Sequence, residues 1–149
     1  MTARDILRFK GSTVFTTSPQ VSVEAAAADL DRRGIGALPV VDEGVLMGVF
    51  GERELVRAVT SRGRAALALP VAALMRSAVE CAPETSLRDA MALLTRSRAR
   101  YLVVTESGNI AGIVSIGDVV HHRLREMETE ANVLRDVALA AQAGAYLPA

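Results

Sequence analysis

Short apolar runs alternate with helix-like segments along this chain. An alanine-rich segment over 23–33 has strong helix propensity; Ser22 is placed to cap its start, and Gly34 suits the position that ends it. Four further segments have strand or helix character. They are strands over 14–17, 37–41 and 45–50 and a helix over 52–61. The order is therefore β-α-β-β-α.

The same order recurs 64 residues later, and residues 14–56 align with 78–120 without a gap. Identities that fall at turns, caps and core positions support this alignment. They are Pro19 and Pro83, Ser22 and Ser86, Leu30 and Leu94, Gly44 and Gly108, and Gly48 and Gly112. A repeat of fixed period predicts two similar units, which we expect to share one hydrophobic core. The predicted fold class is α/β.

The repeat divides the chain into four parts. We place the first unit at 8–61, a connection at 62–77, the second unit at 78–125 and a helical tail at 126–149. Toward the tail, apolar residues recur at alternating steps of four and three, which is typical of a coiled-coil seam. The seam consists of Val120, Leu124, Met127, Ala131, Leu134, Ala138 and Ala141. It predicts a homodimer contact or a helix that folds back on its own unit, and we favour the dimer.

Composition excludes several classes of protein. The 149 residues carry 17 basic and 17 acidic side chains, so the clustered basic excess that nucleic-acid binding needs is missing. No apolar run approaches membrane-spanning length, and the start lacks the apolar core of a signal peptide. The single cysteine, Cys81, excludes an internal disulfide. We expect a cytoplasmic protein that binds neither membrane nor nucleic acid.

The junction at 115–118, Ser-Ile-Gly-Asp, carries the clearest candidate chemistry. We expect the strand over 110–114 to end there and a helix to begin near Val119. Helix N-termini attract anions such as phosphate, and a carboxylate such as that of Asp118 can accept two hydroxyl hydrogen bonds, as from a ribose. The alternative is that Ser115 or Asp118 only caps the helix, since both are good capping residues.

These motifs together resemble the cystathionine-β-synthase (CBS) domain pair, also called a Bateman module. The resemblance rests on Gly-Ala-Leu-Pro-Val-Val-Asp at 36–42, on Gly-x-Leu-x-Gly at 44–48 and on Ser-x-x-Asp at 115–118, within a unit that occurs twice. It covers residues 3–125 and is most specific for bacterial stand-alone CBS pairs. It implies two β-α-β-β-α repeats packed as one module, with a cleft between repeats that binds AMP, ADP, ATP or NAD(H).

The resemblance also implies the residues of that cleft. Ser115 would hold phosphate and Asp118 the ribose hydroxyls, with Gly117 in the same loop. The base would be framed by Thr16, Thr17, Ile35, Gly36, Ala37 and Leu38. The nucleotide would be a regulatory ligand, with no cofactor required, and its presence would be signalled to a downstream protein that the sequence does not name.

A second cleft departs from the family pattern. Gly51 and Glu54 stand where Ser and Asp are typical, and Tyr101 replaces a common His. Its candidate residues are Arg53, Glu54, Arg57, Cys81, Arg100, Tyr101 and Leu102. The arginines suit phosphate because guanidinium groups make forked contacts, or else they are solvated or paired with neighbouring glutamates. We expect this cleft to be weaker, altered in ligand or inactive.

No set of residues supplies a nucleophile with a base, so we expect no catalysis and name no catalytic residue. We also expect no metal site, because His121 and His122 are neighbours on a helix and point about 100° apart. A structural or interaction protein with degenerate nucleotide sites is the alternative function.

Overall fold

The computed structural model describes residues 1–11 and 13–145. Within these residues it has ten helices and strands. The second repeat follows the predicted order β-α-β-β-α, whereas the first lacks its first strand and is preceded by a further helix. The first half holds α1 (Ala3–Lys10), α2 (Val23–Arg33), β1 (Ala37–Asp42), β2 (Val45–Gly51) and α3 (Glu52–Arg62). The second half holds β3 (Glu80–Cys81), α4 (Leu87–Ser97), β4 (Tyr101–Glu106), β5 (Asn109–Ser115) and α5 (Ile116–Ala145). Two short 3-10 helices, Gly63–Ala68 and Val71–Ala73, lie in the connection between the halves.

The predicted ends of α2 are confirmed. The Ser22 hydroxyl accepts a hydrogen bond from the Ala25 N–H at 3.2 Å, and Gly34 adopts φ 62° and ψ 36°. In the second repeat Ser86 caps α4 in the same way, but the residue at its C-terminal end is Arg98, at φ 51°. The C-terminal cap of this helix therefore keeps the left-handed conformation, although Arg98 replaces the glycine.

Each repeat contains one antiparallel hairpin of the same register. Ala37 lies opposite Gly51 in β1–β2, and Tyr101 lies opposite Ser115 in β4–β5. The second hairpin turns at Ser107 and Gly108, both at positive φ, and Asn109 is the first residue of β5. Two consecutive left-handed residues are the hairpin turn that matches strand twist.

The predicted strand over 14–17 is wrong except for one residue. Thr17 forms a single parallel bridge with Val40, whereas its counterpart β3 is a two-residue strand paired with β4. The difference lies in the facing strand, where the Val103 N–H donates to the Val79 carbonyl at 2.9 Å. Pro39 occupies the equivalent place in β1 and has no N–H to donate, so the ladder stops.

The buried apolar residues form two clusters, not the single shared core that we expected. One cluster joins α2, β1, Phe50 of β2 and Val71 of the connection. The other joins β4, β5, α4 and Val119 of α5, and it includes Ala3 and Ile6 of α1. The segment before each repeat therefore packs on the other repeat: α1 packs on the second repeat, and the connection at 62–77 packs on the first. We call α1 and the connection the two covers.

The two covers are held by equivalent backbone hydrogen bonds. The Ala3 and Arg4 N–H groups donate to the Thr85 and Pro83 carbonyls, each at 2.9 Å. In the first repeat, the N–H groups of residues 71 and 72 donate to the carbonyls of residues 21 and 19, at 2.8 and 2.9 Å. The four predicted parts, 8–61, 62–77, 78–125 and 126–149, remain a prediction, and residues 146–149 lie outside the described residues.

In the part of the chain that the structure describes, no helix is both long and apolar enough to cross a membrane.

Substitution of Gly48 by Ala tests how closely the connection covers β2. A Cβ at Gly48 would lie 2.5 Å from the Arg76 carbonyl oxygen. We expect Gly48→Ala to lower the free energy of unfolding by about 1–3 kcal/mol, the usual cost of overpacking, as measured by denaturant titration. Gly144→Ala is the control, because a Cβ there meets nothing within 4 Å. Equal stability of the two variants would contradict the packing.

Candidate functional site

The Ser-x-x-Asp motif lies where β5 passes into α5. The helix begins at Ile116, three residues earlier than predicted, so Ser115 is its N-cap and Asp118 lies in its first turn. The Asp118 N–H donates to Ser115 Oγ at 3.0 Å, and the Ser115 N–H donates to Asp118 Oδ2 at 2.8 Å. This reciprocal pair is a capping box, so both side chains do cap the helix.

Lys10, at the end of α1, is the third member of this cluster. Its Nζ donates to Asp118 Oδ2 at 2.7 Å and to the Ile113 carbonyl at 3.3 Å. Burial tends to raise the pKa of Asp118, but the hydrogen bonds from Lys10 and Ser115 outweigh it and hold that pKa below its usual value. Both contacts use Oδ2, and Oδ1 takes no part in them.

Sequence reasoning missed Lys10, which is the only lysine in the chain. It lies 108 residues from Asp118, so no local spacing links the two. The exchange of covers brings them together, because α1 packs on the second repeat and its last turn reaches the start of α5.

A cleft of about 370 Å³ lies beside this cluster, between the repeats. Its lining residues come from α1, the segment after it, the start of β1, and β4 and β5. They are Leu7, Lys10, Gly11, Thr13, Phe15, Gly34, Ile35, Gly36, Ala37, Tyr101, Gly112 and Ile113. Lys10 both lines the cleft and contacts Asp118, so it joins the cavity to the capping box.

The predicted nucleotide residues fall into three groups. Ile35, Gly36 and Ala37 line the cleft. Ser115, Gly117 and Asp118 are not among its lining residues; they lie in the first turn of α5 and the residue before it, and they adjoin the cleft through Lys10, which contacts Asp118. Leu38 is fully buried in the first repeat, Thr17 is tied to β1 by backbone hydrogen bonds, and Thr16 is exposed.

The second cleft is built the same way around the start of α3. The Gly51 N–H donates to Glu54 Oε2 at 3.1 Å, so one half of the capping box is kept. Arg76 from the connection lies 3.9 Å from Glu54 Oε1, in the place that Lys10 takes beside Asp118. Each cleft thus pairs a carboxylate at a helix start with a cation from the cover.

The space beside Glu54 is much smaller, at about 90 Å³. Four of the residues named for this cleft line it, and Arg76 and Arg98 add two further guanidinium groups. The four are Arg53, Glu54, Arg100 and Tyr101. The sequence left open whether Arg53 meets a phosphate, is solvated or pairs with a glutamate. In the structure its guanidinium donates to the Arg98 carbonyl at 3.1 Å.

The other three residues predicted for this cleft lie elsewhere. Cys81 and Leu102 are buried in the core of the second repeat, because alternate residues of a strand face opposite sides, and Arg57 is exposed on α3. Burial raises the pKa of the Cys81 thiol despite a hydrogen bond from Thr85, which suits a small core residue.

Gly51 explains why the hydroxyl of the motif is missing here. A Cβ at Gly51 would lie 2.7 Å from the Gly36 carbonyl oxygen and 3.2 Å from the Ala37 Cβ. A serine at this position would therefore push β1 and β2 apart. The first hairpin as packed thus has no room for the hydroxyl, although the second hairpin holds Ser115 at the same register position.

Tyr101 separates the two clefts and lines both of them. Its hydroxyl occupies the place where a Cβ of Gly36 would be, so a glycine is needed at that position. Burial, and next the nearby Glu52 carboxylate, raise the pKa of Tyr101 above its usual value. Sequence reasoning assigned Tyr101 to the second cleft alone.

Within residues 1–11 and 13–145, no group of three or more His, Cys, Asp or Glu side chains is placed to hold a metal ion.

Comparisons with known proteins give one consistent result. A family model described as CBS domain matches residues 3–61 and 71–125. The CBS domain-containing protein YhcV of Bacillus subtilis is 33% identical over 112 residues, which are 74% of this chain and 79% of the relative. The mitochondrial CBS domain-containing protein CBSX3 of Arabidopsis thaliana is 31% identical over 140 residues, 87% of this chain and 68% of the relative.

A solved structure agrees with these relatives. The crystal structure of the CBS-domain containing protein ATU1752 from Agrobacterium tumefaciens is similar to this chain with a TM-score of 0.79 and 41% identity. The similarity covers 83% of this chain and 99% of that one.

The contact between Lys10 and Asp118 predicts a dependence on pH. Because the pKa of Asp118 is lowered on folding, its ionised carboxylate stabilises the fold above the unfolded value of about 3.9, and this stability is lost as the pH falls through the folded pKa. We expect Lys10→Met to raise the pKa of Asp118 in a carboxyl NMR titration. The control is Arg8→Met, in the same helix. An unchanged pKa in Lys10→Met would contradict the contact.

Proposed function

The chain belongs to the family of CBS-domain proteins, and from this membership we propose that it is a regulatory module that binds an adenosine nucleotide. AMP, ADP, ATP and NAD(H) are the candidate ligands. The proposed site is the 370 Å³ cleft, with the start of α5 at its side. The observation that supports this most is the cluster of Lys10, Ser115 and Asp118, which places a cation, a hydroxyl and a carboxylate beside one cavity.

The chemistry of this cluster suits the polar parts of a nucleotide. The N–H groups at the start of α5 and the Lys10 ammonium favour a phosphate. Asp118 Oδ1 is outside the capping box and accepts from a hydroxyl such as those of a ribose. A phosphate that draws Lys10 away from Asp118 leaves Oδ2 with the Ser115 N–H as its donor. The carboxylate can then accept a further hydrogen bond from the ligand.

The walls of the cleft suit the base. Leu7, Phe15, Ile35 and Ile113 supply apolar surface, and the Arg33 guanidinium lies 3.9 Å above the ring of Phe15, which fixes that ring in place. A ligand with one flat apolar end and one anionic end fits this distribution of surface.

Binding rather than catalysis is the proposed activity. The carboxylate beside the cleft, Asp118, is held by Lys10 and by the Ser115 N–H, and none of the described lining residues is a His or Cys that could serve next to it as base or nucleophile. The proposed output is a signal to a downstream protein, passed by a homodimer of this chain.

A structural or interaction protein with degenerate sites is the second candidate function. The small cleft beside Glu54 favours it, because Gly51 has no room for a hydroxyl and Arg76 faces the carboxylate. Ultraviolet absorbance of the supernatant after denaturing the purified protein separates the two candidates. A released nucleotide supports the sensor, and failure of all four nucleotides to bind in calorimetry supports the structural role.

Substitution of Asp118 by Ala tests the proposed site. Loss of a charged acceptor to two hydroxyls should weaken nucleotide binding by on the order of 2–4 kcal/mol, measured by calorimetric titration. The variant also loses a helix cap, which costs about 1 kcal/mol of stability. Asp89→Ala is the matched control, since Asp89 is the equivalent carboxylate in the first turn of α4. Its N–H donates to Ser86 Oγ and its Oδ2 accepts from the Ser86 hydroxyl, and it lines neither cleft. Unchanged affinity in folded Asp118→Ala would place the ribose elsewhere.

We expect the two clefts to bind unequally. One tight site per chain and at most one weak site should appear in the titration, because the cleft beside Glu54 is the smaller and lacks the hydroxyl. Lys10→Met should weaken the tight site, whereas Arg76→Met, the equivalent change in the other cleft, should leave it unchanged. Two equivalent sites, or a loss of tight binding in Arg76→Met, would contradict the assignment.

A further inference from the structure

The distal part of α5 carries an apolar stripe that is exposed to solvent. Every residue from Met127 to Ala145 is exposed. Leu124, Met127 and Leu134 keep 56%, 50% and 70% of their surface in contact with solvent. A helix of this length is marginal in water without a packing partner.

We propose that α5 pairs with α5 of a second copy of this chain as a parallel, in-register, two-stranded coiled coil. This inference rests on the homodimer of the proposed function and adds its interface, direction and register. The occupant of the stripe is therefore a second copy, and the charges beside the stripe specify how it lies.

The seam follows the heptad pattern over three consecutive heptads. Leu124, Ala131 and Ala138 fall at the a positions, and Val120, Met127, Leu134 and Ala141 fall at the d positions. Val120 is 38% exposed, so the seam begins at the module and runs to the end of the helix. The alanines at a allow the helices to approach closely, and the larger residues at d fill the spaces between them.

The charged residues beside the seam are complementary in a parallel pair. In that arrangement a g residue faces the e residue five positions later in the partner. Arg123 and Glu130 are at g, and Glu128 and Arg135 are at e. Arg123 therefore faces Glu128 of the second copy, and Glu130 faces Arg135. By symmetry the dimer gains four attractive pairs and no repulsive one among these residues.

Antiparallel pairing fits the same charges less well. It places e opposite e and g opposite g. In the register that puts Met127 beside Ala131, Glu128 faces Glu128 and Glu130 faces Glu130, which is repulsive. In the register that puts Ala131 beside Leu134, only the two Glu128–Arg135 pairs are attractive. The parallel register has twice as many.

The proximal part of α5 leaves the seam free. Val119 is buried against the second repeat, and Glu126 binds the Met1 ammonium at 2.7 Å and Arg123 at 2.6 Å. Val119 and Glu126 lie on the face that contacts the module, about 100° from the seam, and the half-buried Arg123 lies between that face and the seam. The helix is anchored on one side and presents the stripe on another.

Cysteine cross-linking tests direction and register. In a parallel in-register pair each d residue meets its own counterpart, so Leu134→Cys in a Cys81→Ala background should form a disulfide-linked dimer under a mild oxidant such as diamide. Asp136→Cys, on the outer face of the helix, is the matched control. Cross-linking of Leu134→Cys no greater than that of the control would overturn the proposal.

Charge reversal is the second test, and it needs no cysteine. Glu130→Arg places like charges opposite Arg135 and should raise the dimer dissociation constant about three- to tenfold, measured by sedimentation equilibrium. The double variant Glu130→Arg with Arg135→Glu should restore it. Failure of the double variant to recover would exclude the parallel register.

The results also separate this proposal from the homodimer itself. A dimer mass without the Leu134 cross-link would refute the coiled coil and leave the homodimer. A monomer at all concentrations tested would refute both.

Discussion

The arrangement depends on one constraint, the close approach of each cover to a glycine in the hairpin beneath it. A Cβ at Gly48 would meet the Arg76 carbonyl, and a Cβ at Gly112 would meet the Leu7 side chain. Because both strands lack a side chain at this point, the connection and α1 lie directly on the sheet. The equivalent glycines 64 residues apart thus mark where each repeat receives its cover.

The same constraint positions the charges of both clefts. Once α1 lies on Gly112, its last residue, Lys10, reaches Asp118; once the connection lies on Gly48, Arg76 faces Glu54. The two pairs differ in their geometry. Lys10 is in direct hydrogen-bond contact at 2.7 Å, whereas Arg76 is 3.9 Å away. Tyr101 then divides the space between them, and most of it falls on the Lys10 side. A pseudo-symmetric scaffold therefore produces two unequal cavities.

Local features of the fold were predictable, and contacts between distant segments were not. The helix at 23–33 and both hairpins follow from caps, turns and apolar runs that lie within about ten residues of one another. The bridge at Thr17 depended on whether the facing residue has an N–H, and Pro39 does not. The start of α5 was placed too late because Ser115 and Asp118 act as a cap at positions that the sequence also allowed to be a loop.

The candidate site shows the same division. The motif Ser-x-x-Asp is contiguous, so its candidate chemistry could be proposed from the sequence, whereas the segment at 35–37 was assigned to the cleft only through the family resemblance. Lys10 was missed because its partner is 108 residues away, and the assignment of Cys81 and Leu102 to a cleft failed to account for the alternation of strand side chains. The position of Tyr101 between the clefts follows from the absence of a side chain at Gly36, which only the packed structure reveals.

Helix α1 and the residues before it contact α5 at several points. The same contacts therefore hold one wall of the cleft and the helix that carries the seam. Lys10 binds Asp118 near the start of α5, the Phe9 and His122 rings stack at 5.4 Å, and the Met1 ammonium binds Glu126 further along. A ligand that draws Lys10 from Asp118 acts on the first of these contacts. It shifts α5 only to the extent that it binds the two arrangements with different affinity. If α5 also pairs with a second copy, reciprocity requires that association change ligand affinity by the same factor that the ligand changes association. The short path from Asp118 to the first seam residue, Val120, makes the first turn of α5 the element through which such coupling has to pass.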